Sequence, residues 1–293
     1  MAVQEFSINE LKNLKLPNSQ GNKATNGQVT LIAGSQLFHG PALFALTILS
    51  ALTDMVYFAS PEPRFSDVAN KLKQHIHNFI WVPLNEVDGY IAKSQATLIG
   101  PGLMRYRTEN HQLNHISDSI ADESRRLTTE LLTRHPNHQW VIDAGSLQVL
   151  NINQIPPNSI ITPNSKEFFM LFHRDLPTNQ EEKVNLLSKL SQQFQIHIVA
   201  KNTHTLVASP DEKITNISTE HVGLTKGGGG DCLAALITGL TCQNDPHLSA
   251  ASADFFLKQT SLRLSKIKGP LFTTDELANH VSLTIWDYLS SIK

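Results

Sequence analysis

The chain is poor in several things, and each shortage removes a class of function. Only two cysteines occur among 293 residues, Cys232 and Cys242, and they form neither a CxxC pair nor a secretory disulfide framework. Both read as reduced, small, buried residues. Lysine plus arginine (24) do not exceed aspartate plus glutamate (26), and the formal net charge is −2. Without a basic excess, neither nucleic acid nor a membrane surface is expected as a partner. The most apolar stretch, 43–59, is interrupted by Thr47, Ser50, Thr53 and Asp54 and is followed by Ser60-Pro61-Glu62-Pro63. That pattern fits a buried helix running into a strand, not a membrane span. The first residues carry no basic segment followed by an apolar one, so no signal peptide is read and a cytoplasmic protein is expected.

Several catalytic signatures are missing as well. No G-x-x-x-x-G-K-[ST] occurs, no G-x-G-x-x-G follows a strand, and H-E-x-x-H and G-x-S-x-G are absent. His111 and His115 have helical i, i+4 spacing but no nearby third ligand, so they read as a solvated face and no metal-ligand set is assigned.

What is present is an alternation. Short apolar runs at 29–33, 55–59, 79–82, 96–99, 140–142, 159–161, 196–200 and 205–208 are separated by amphipathic stretches such as 43–52, 118–134, 181–194 and 233–240. Continuously apolar runs of four or five residues are the mark of strands covered on both faces. The alternation therefore predicts an α/β fold with a doubly wound, mostly parallel sheet flanked by helices. Residues 205–208 and 214–216, on either side of Pro210-Asp211-Glu212, predict a small hairpin at a sheet edge. No linker or repeat divides the chain, so 1–293 is expected to form a single domain, with 1–26 a partly irregular N-terminal segment.

The ends of the strands carry the chemistry. They run into Gly34-Ser35, Gly100-Pro101-Gly102, Asp143, Thr162-Pro163-Asn164 and Lys201. Ligands of open α/β sheets bind beyond the carboxyl ends of the strands, so these residues outline one site. The sharpest signal is Lys226-Gly227-Gly228-Gly229-Gly230-Asp231-Cys232 leading into an apolar helix. Glycines let backbone N–H groups approach an anion closely at the positive end of a helix. Asp231, stabilised there as a carboxylate by roughly 0.3–1 kcal/mol, is placed to take a proton from a substrate hydroxyl. A plain reading of the same residues is a flexible linker with an N-cap, but linkers do not ordinarily lead straight into an apolar helix. Lys201 reads equally as a phosphate-facing ammonium or a solvated loop lysine. The Thr162 loop reads either as a binding loop or as a proline turn with a helix N-cap, and Gly100-Pro101-Gly102 as a binding turn or simply a tight one.

Taken in order, these segments resemble the ribokinase-like ADP- or ATP-dependent NAD(P)H-hydrate dehydratase family over nearly the whole chain. Gly227-Gly228-Gly229-Gly230-Asp231 is similar to that family's G-G-[ST]-G-D, Ile99-Gly100-Pro101-Gly102-Leu103 to its I-G-P-G-L, and Ile142-Asp143-Ala144-Gly145 to its D-A-[DG]. Thr162-Pro163-Asn164-Ser165-Lys166-Glu167-Phe168 is similar to T-P-H-P-G-E-F, and Lys201 through Val207 to K-G-x-x-T-x-[IV]. The resemblance implies phosphorylation of the hydroxyl of hydrated NADH or NADPH from ADP or ATP with Mg²⁺, followed by loss of phosphate. It implies Asp231 as base with Gly228, Gly229 and Gly230 at the transferred phosphoryl group. Lys201, Asn202, Thr203, His204, Thr205 and Gly230 would line the nucleotide site, and Ala42, Gly102, Asn164 and Asp231 the hydrated-dinucleotide site. It also implies a homo-oligomer.

The chain departs from the family pattern at several places. Asn164 stands for histidine, Ser165-Lys166 for Pro-Gly, Asn202 for glycine, and Glu220-His221-Val222 for a Gly-Asn turn. Thr53-Asp54 stands for Arg-x-Gly, and Phe255-Phe256-Leu257-Lys258 lacks a His-Gly pair. A vitamin-precursor or sugar kinase of the same fold, and a non-catalytic nucleotide-binding regulator, are the competing readings.

Overall fold

The structure is a computed structural model that describes residues 3–18, 20–21, 24–106, 119–219 and 221–292. His111, His115, Asp118 and Glu220 lie outside the described residues. Ten strands are described: β1 (Gln4–Glu5), β2 (Gln28–Ile32), β3 (Met55–Ala59), β4 (Phe79–Trp81), β5 (Ala96–Ile99), β6 (Trp140–Ile142), β7 (Ile160–Ile161), β8 (His197–Ala200), β9 (Thr205–Ala208) and β10 (Ile214–Ile217). All join one sheet in the order β1-β10-β9-β8-β7-β6-β5-β2-β3-β4. From β8 through β4 every pairing is parallel, and only β9 runs against its neighbours.

The expected hairpin is present as β9 and β10, but it is not the outermost element. The two-residue β1 pairs in parallel with β10, Gln4 opposite Thr215, and takes the edge. So short and polar a strand has no periodicity to announce it. The N-terminal segment expected to be partly irregular contains a 3₁₀ turn, Ile8–Asn13, capped by Ser7 and Glu10 in a reciprocal capping box.

Helices cover both faces: α1 (Gly40–Leu52), α2 (Phe65–Leu72), α3 (Val87–Ile91), α4 (Ser119–Arg134), α5 (Ala144–Val149), α6 (Ser165–Phe172), α7 (Gln180–Phe194), α8 (Gly229–Thr241), α9 (Pro246–Lys268) and α10 (Thr274–Ile292). Successive strand residues point to opposite faces. Leu31, Phe58, Leu98, Val141 and Val199 therefore pack into one core with α1, α8, α9 and α10. Ile32, Ala59, Ile99, Ile142 and Ile198 pack into a second core with α4, α6 and α7. Two dry faces explain the unbroken apolar runs. Among the described residues, no helix is long and apolar enough to cross a membrane.

The strand order reverses direction at β2, which has β3 on one side and β5 on the other. A crevice opens at such a switch point. Its rim is made of Gly34, Gly100 and Gly102, all with positive φ (84°, 121° and 70°). A Cβ on Gly100 would lie 1.8 Å from the Asp143 carbonyl oxygen, and one on Gly102 2.8 Å from the Phe38 carbonyl oxygen. These turns are glycine because neighbouring backbone leaves no room for a side chain.

Candidate active site

Four charged side chains from four separate elements converge beyond the carboxyl ends of β6, β7 and β8. Asp143 ends β6, is 1% exposed, and occupies the N-cap position of α5. Lys201 ends β8 and donates from Nζ to Asp143 Oδ1 at 2.8 Å. Thr162, after β7, donates to the same oxygen at 2.6 Å. Glu167, in the first turn of α6, is 4% exposed and accepts from Gln148 Nε2 at 3.3 Å. Asp231 lies in the first turn of α8.

One ammonium thus faces three carboxylates, and the protonation of each responds. Burial pushes the Asp231 carboxyl up, Asp143 adds repulsion, and Lys201 only partly offsets both, leaving its pKa at about 7. Burial also raises Glu167, again opposed by Lys201 and reinforced by Asp143. Burial alone would pull Lys201 down, but Asp143, Glu167 and Asp231 together hold its pKa above the ordinary lysine value. A carboxylate poised near neutrality is what a general base needs, and a permanently charged ammonium suits an anionic ligand.

The glycine run is not uniform. α8 begins within it, at Gly229, four residues before the start read from apolar periodicity. Gly228 is the N-cap with φ 99°, and a Cβ there would lie 2.4 Å from the Phe44 ring and 2.8 Å from the Thr274 methyl. Packing against α1 and α10 therefore requires glycine at this position. At Gly230 an added Cβ would instead meet Lys201 Nζ at 3.1 Å, so this glycine leaves the space beside the ammonium open. Gly229 N–H bonds the Lys226 carbonyl and Cys232 N–H the Gly228 carbonyl. The N–H groups of Gly230 and Asp231 remain at the positive end of the helix, the arrangement that attracts phosphate. Lys226 itself is turned elsewhere, over the Phe272 ring and onto the Pro270 carbonyl.

A cleft of about 280 Å³ adjoins Gly230. Of the residues expected at the nucleotide, Lys201, Asn202, Thr203, Thr205 and Gly230 line it, together with Leu224, Leu233 and Leu257. His204 is exposed and is not among its lining residues. Of the residues expected at the dinucleotide, Gly102 sits against Pro41, one residue before Ala42. Ala42, in the first turn of α1, is fully buried in the core. Asn164 is the N-cap of α6, and its side-chain oxygen already accepts from Glu167 N–H at 2.9 Å. Glu167 returns the bond, accepting from Asn164 N–H at 2.9 Å. Both readings of the Thr162 loop thus have a part in it: the cap fixes the carboxylate of Glu167 at the site.

Asp143, expected at the site as a strand end, is joined in the cluster by Glu167 and Gln148, to which the sequence reading gave no catalytic or binding role. The signal for Glu167 was available, because N-x-x-E ahead of an apolar run is a capping-box pattern. Asp143 was legible as a strand end at the ligand crevice, but its pairing with Lys201 was not.

The sequence profile described as NAD(P)H-hydrate dehydratase matches residues 29–282, from β2 into the last helix. The chain belongs to this family. It is 27% identical over 262 residues to the ADP-dependent (S)-NAD(P)H-hydrate dehydratase of Nitrosopumilus maritimus, covering 82% of this chain and 81% of that protein. It is 23% identical over 248 residues to the bifunctional NAD(P)H-hydrate repair enzyme of Dictyoglomus turgidum, where the match covers 78% of this chain but only 44% of the longer protein. The solved ADP/ATP-dependent NAD(P)H-hydrate dehydratase of Bacillus subtilis, co-crystallised with ATP/Mg²⁺, has the same fold, with a TM-score of 0.78 at 22% identity over 99% of each chain. Within the dehydratase family's fold, the ribokinase-like sheet ends at the four-residue charge cluster described above.

Proposed function

We propose that this chain is a cytoplasmic enzyme that restores hydrated NADH or NADPH, using ADP or ATP to phosphorylate the hydroxyl of the damaged nicotinamide ring. The observation that carries the reading is Asp231, a carboxylate held at a pKa of about 7 in the first turn of a glycine-led helix beside Lys201. Asp231 takes the hydroxyl proton as the oxygen attacks the terminal phosphorus of the nucleotide. Gly230 N–H and the Lys201 ammonium hold the equatorial oxygens of the transferred phosphoryl group, where charge accumulates. The shortened nucleotide leaves with the electron pair of the broken P–O bond. Phosphate then departs from the ring with the C–O pair while the neighbouring ring carbon releases a proton, and the double bond returns.

The residues present suit Mg²⁺. Asp143, Glu167 and Asp231 are hard oxygen donors, and three carboxylates around one ammonium leave negative charge uncompensated. Among the described residues, no three His, Cys, Asp or Glu side chains are grouped to cage a metal. Mg²⁺ keeps several waters and binds through one or two carboxylates plus phosphate oxygens. When bound, the ion would neutralise nucleotide phosphates. Cleft residues Asn202, Thr203 and Thr205 would hold the nucleoside portion, and the Gly102–Pro41 contact and the Asn164 loop would face the hydrated dinucleotide.

The test is direct. Purified protein mixed with hydrated NADH, Mg²⁺ and either ADP or ATP should regain NADH absorbance, and Asp231→Asn should abolish the recovery while nucleotide still binds. No recovery with either nucleotide overturns the dehydratase reading. A stable phosphorylated product would mark a kinase of the same fold instead.

A further inference from the structure

Lys258 lies in the middle of α9 with its side chain 2% exposed, at the floor of the same cleft. Its ammonium meets four oxygens: Asp254 Oδ2 at 2.8 Å, the Ile217 carbonyl at 2.8 Å, the Thr203 carbonyl at 3.2 Å and Thr205 Oγ1 at 3.2 Å. Hydrogen bonds to Ile217, Thr203 and Thr205 use all three ammonium protons, with Asp254 Oδ2 an ion-pair contact, so Lys258 is not a phosphate ligand. Asp254 is 4% exposed, and its other oxygen accepts from Thr205 Oγ1 at 3.0 Å.

A buried ion pair adds little net stability over well-packed apolar residues, because desolvation of both charges offsets their attraction. What this pair does beyond that is join α9 to the backbone carbonyls of Thr203 and Ile217. Two of the four oxygens belong to the 202–205 loop, whose residues Asn202 and Thr203 are exposed at the cleft. That loop has an asparagine where the family pattern has glycine, and the 255–258 stretch of α9, which contains Lys258, lacks the His-Gly pair of the pattern. The two departures lie on opposite sides of one contact.

We infer that Lys258, paired with Asp254, is a positioning residue that holds the 202–205 loop in its nucleotide-receiving conformation from beneath. The inference rests on the nucleotide reading of the cleft given above. It assigns Lys258 no contact with the reacting atoms. A loop ordered before binding spares the ligand the entropy of ordering it. Loss of the strut should therefore weaken nucleotide binding without touching the chemistry at Asp231.

Calorimetric titration with AMP, ADP and ATP tests this without requiring turnover. Lys258→Met should raise each dissociation constant about tenfold, the equivalent of ordering one or two side chains. Because the single variant leaves Asp254 buried and unpaired, Asp254→Leu with Lys258→Met serves as the folding control. This double variant should melt near the wild type, keep the raised dissociation constants, and exchange the amides of 202–204 faster. In turnover assays the nucleotide KM should rise by the same factor, with the KM for hydrated NADH moving less than about twofold. Wild-type nucleotide affinity in either folded variant overturns the inference, as does an equal loss for nucleotide and hydrated NADH. If the wild-type chain binds no nucleotide, the cleft reading falls first and takes this inference with it.

Discussion

The two ends of the central strands bury titratable groups with opposite consequences. At the carboxyl ends, Asp231 and Glu167 share one ammonium with Asp143, and their acidity is weakened. At the amino ends, His197 starts β8 and His247 lies in the first turn of α9, with His247 Nε2 against Thr215 Oγ1 at 2.7 Å. Burial pulls both imidazoles down, His247 to about 4 with help from Lys213 and His197, against the weaker pull of Asp245 and Asp211. Both ends are desolvated. Only the first gathers like charges around an opening, and that is what separates a reactive site from a neutral structural one.

Their pH dependences should therefore run in opposite directions, and variants at the two ends should break the comparison by different amounts. The largest effect is expected for Asp231→Asn: loss of a general base should lower kcat by about 10²–10⁴-fold, measured as NADH recovery per turnover. Next are the neighbours that set the pKa of Asp231. Because Asp143 raises it and Lys201 lowers it, Asp143→Asn should move the midpoint of the kcat/KM pH profile below about 7, and Lys201→Met above it. A shared direction for the two would separate the cluster's electrostatics from its chemistry.

Stability gives a third, smaller effect. Asp231 has a folded pKa above its unfolded value, so its stabilising contribution is complete in acid and is lost as pH rises through about 7. Asp231→Asn should remove that loss and raise the melting temperature at pH 8 by about 2–4 °C. The histidine end has the reverse sign. A depressed folded pKa contributes stability above the unfolded value of about 6.5 that is lost as pH falls towards 4. His247→Asn, which retains a partner for Thr215, should flatten the acid limb of a denaturation profile over that window.

Much of this was legible in the chain and some was not, for reasons of range. The inner strands announced themselves because both faces are dry, and the glycine-led helix because its residues are contiguous. The 2.8 Å bond between Asp143 and Lys201 joins residues 58 apart, and no periodicity connects them. His204 entered the nucleotide-site set through the resemblance of 201–207 to a family segment, and its side chain is exposed and does not line the cleft. The role of Lys258 was hidden because its partners, apart from Asp254 one turn back on α9, come from β10 and the 202–205 stretch. Gly228 looked like part of a phosphate cradle, while its lack of a side chain is also demanded by Phe44 and Thr274.

That contact at Gly228 has a mechanical consequence. Four consecutive glycines ordinarily mean slack, a hinge that wanders on its own timescale. Here the second of them is seated on an aromatic ring from one core helix and a methyl from another, while Thr274 Oγ1 also clasps the Gly227 carbonyl at 2.8 Å. The loop takes its stiffness from the bulk of the protein behind it. Any displacement of the loop at Gly228 is thereby tied to the packing of the two helices that hold it.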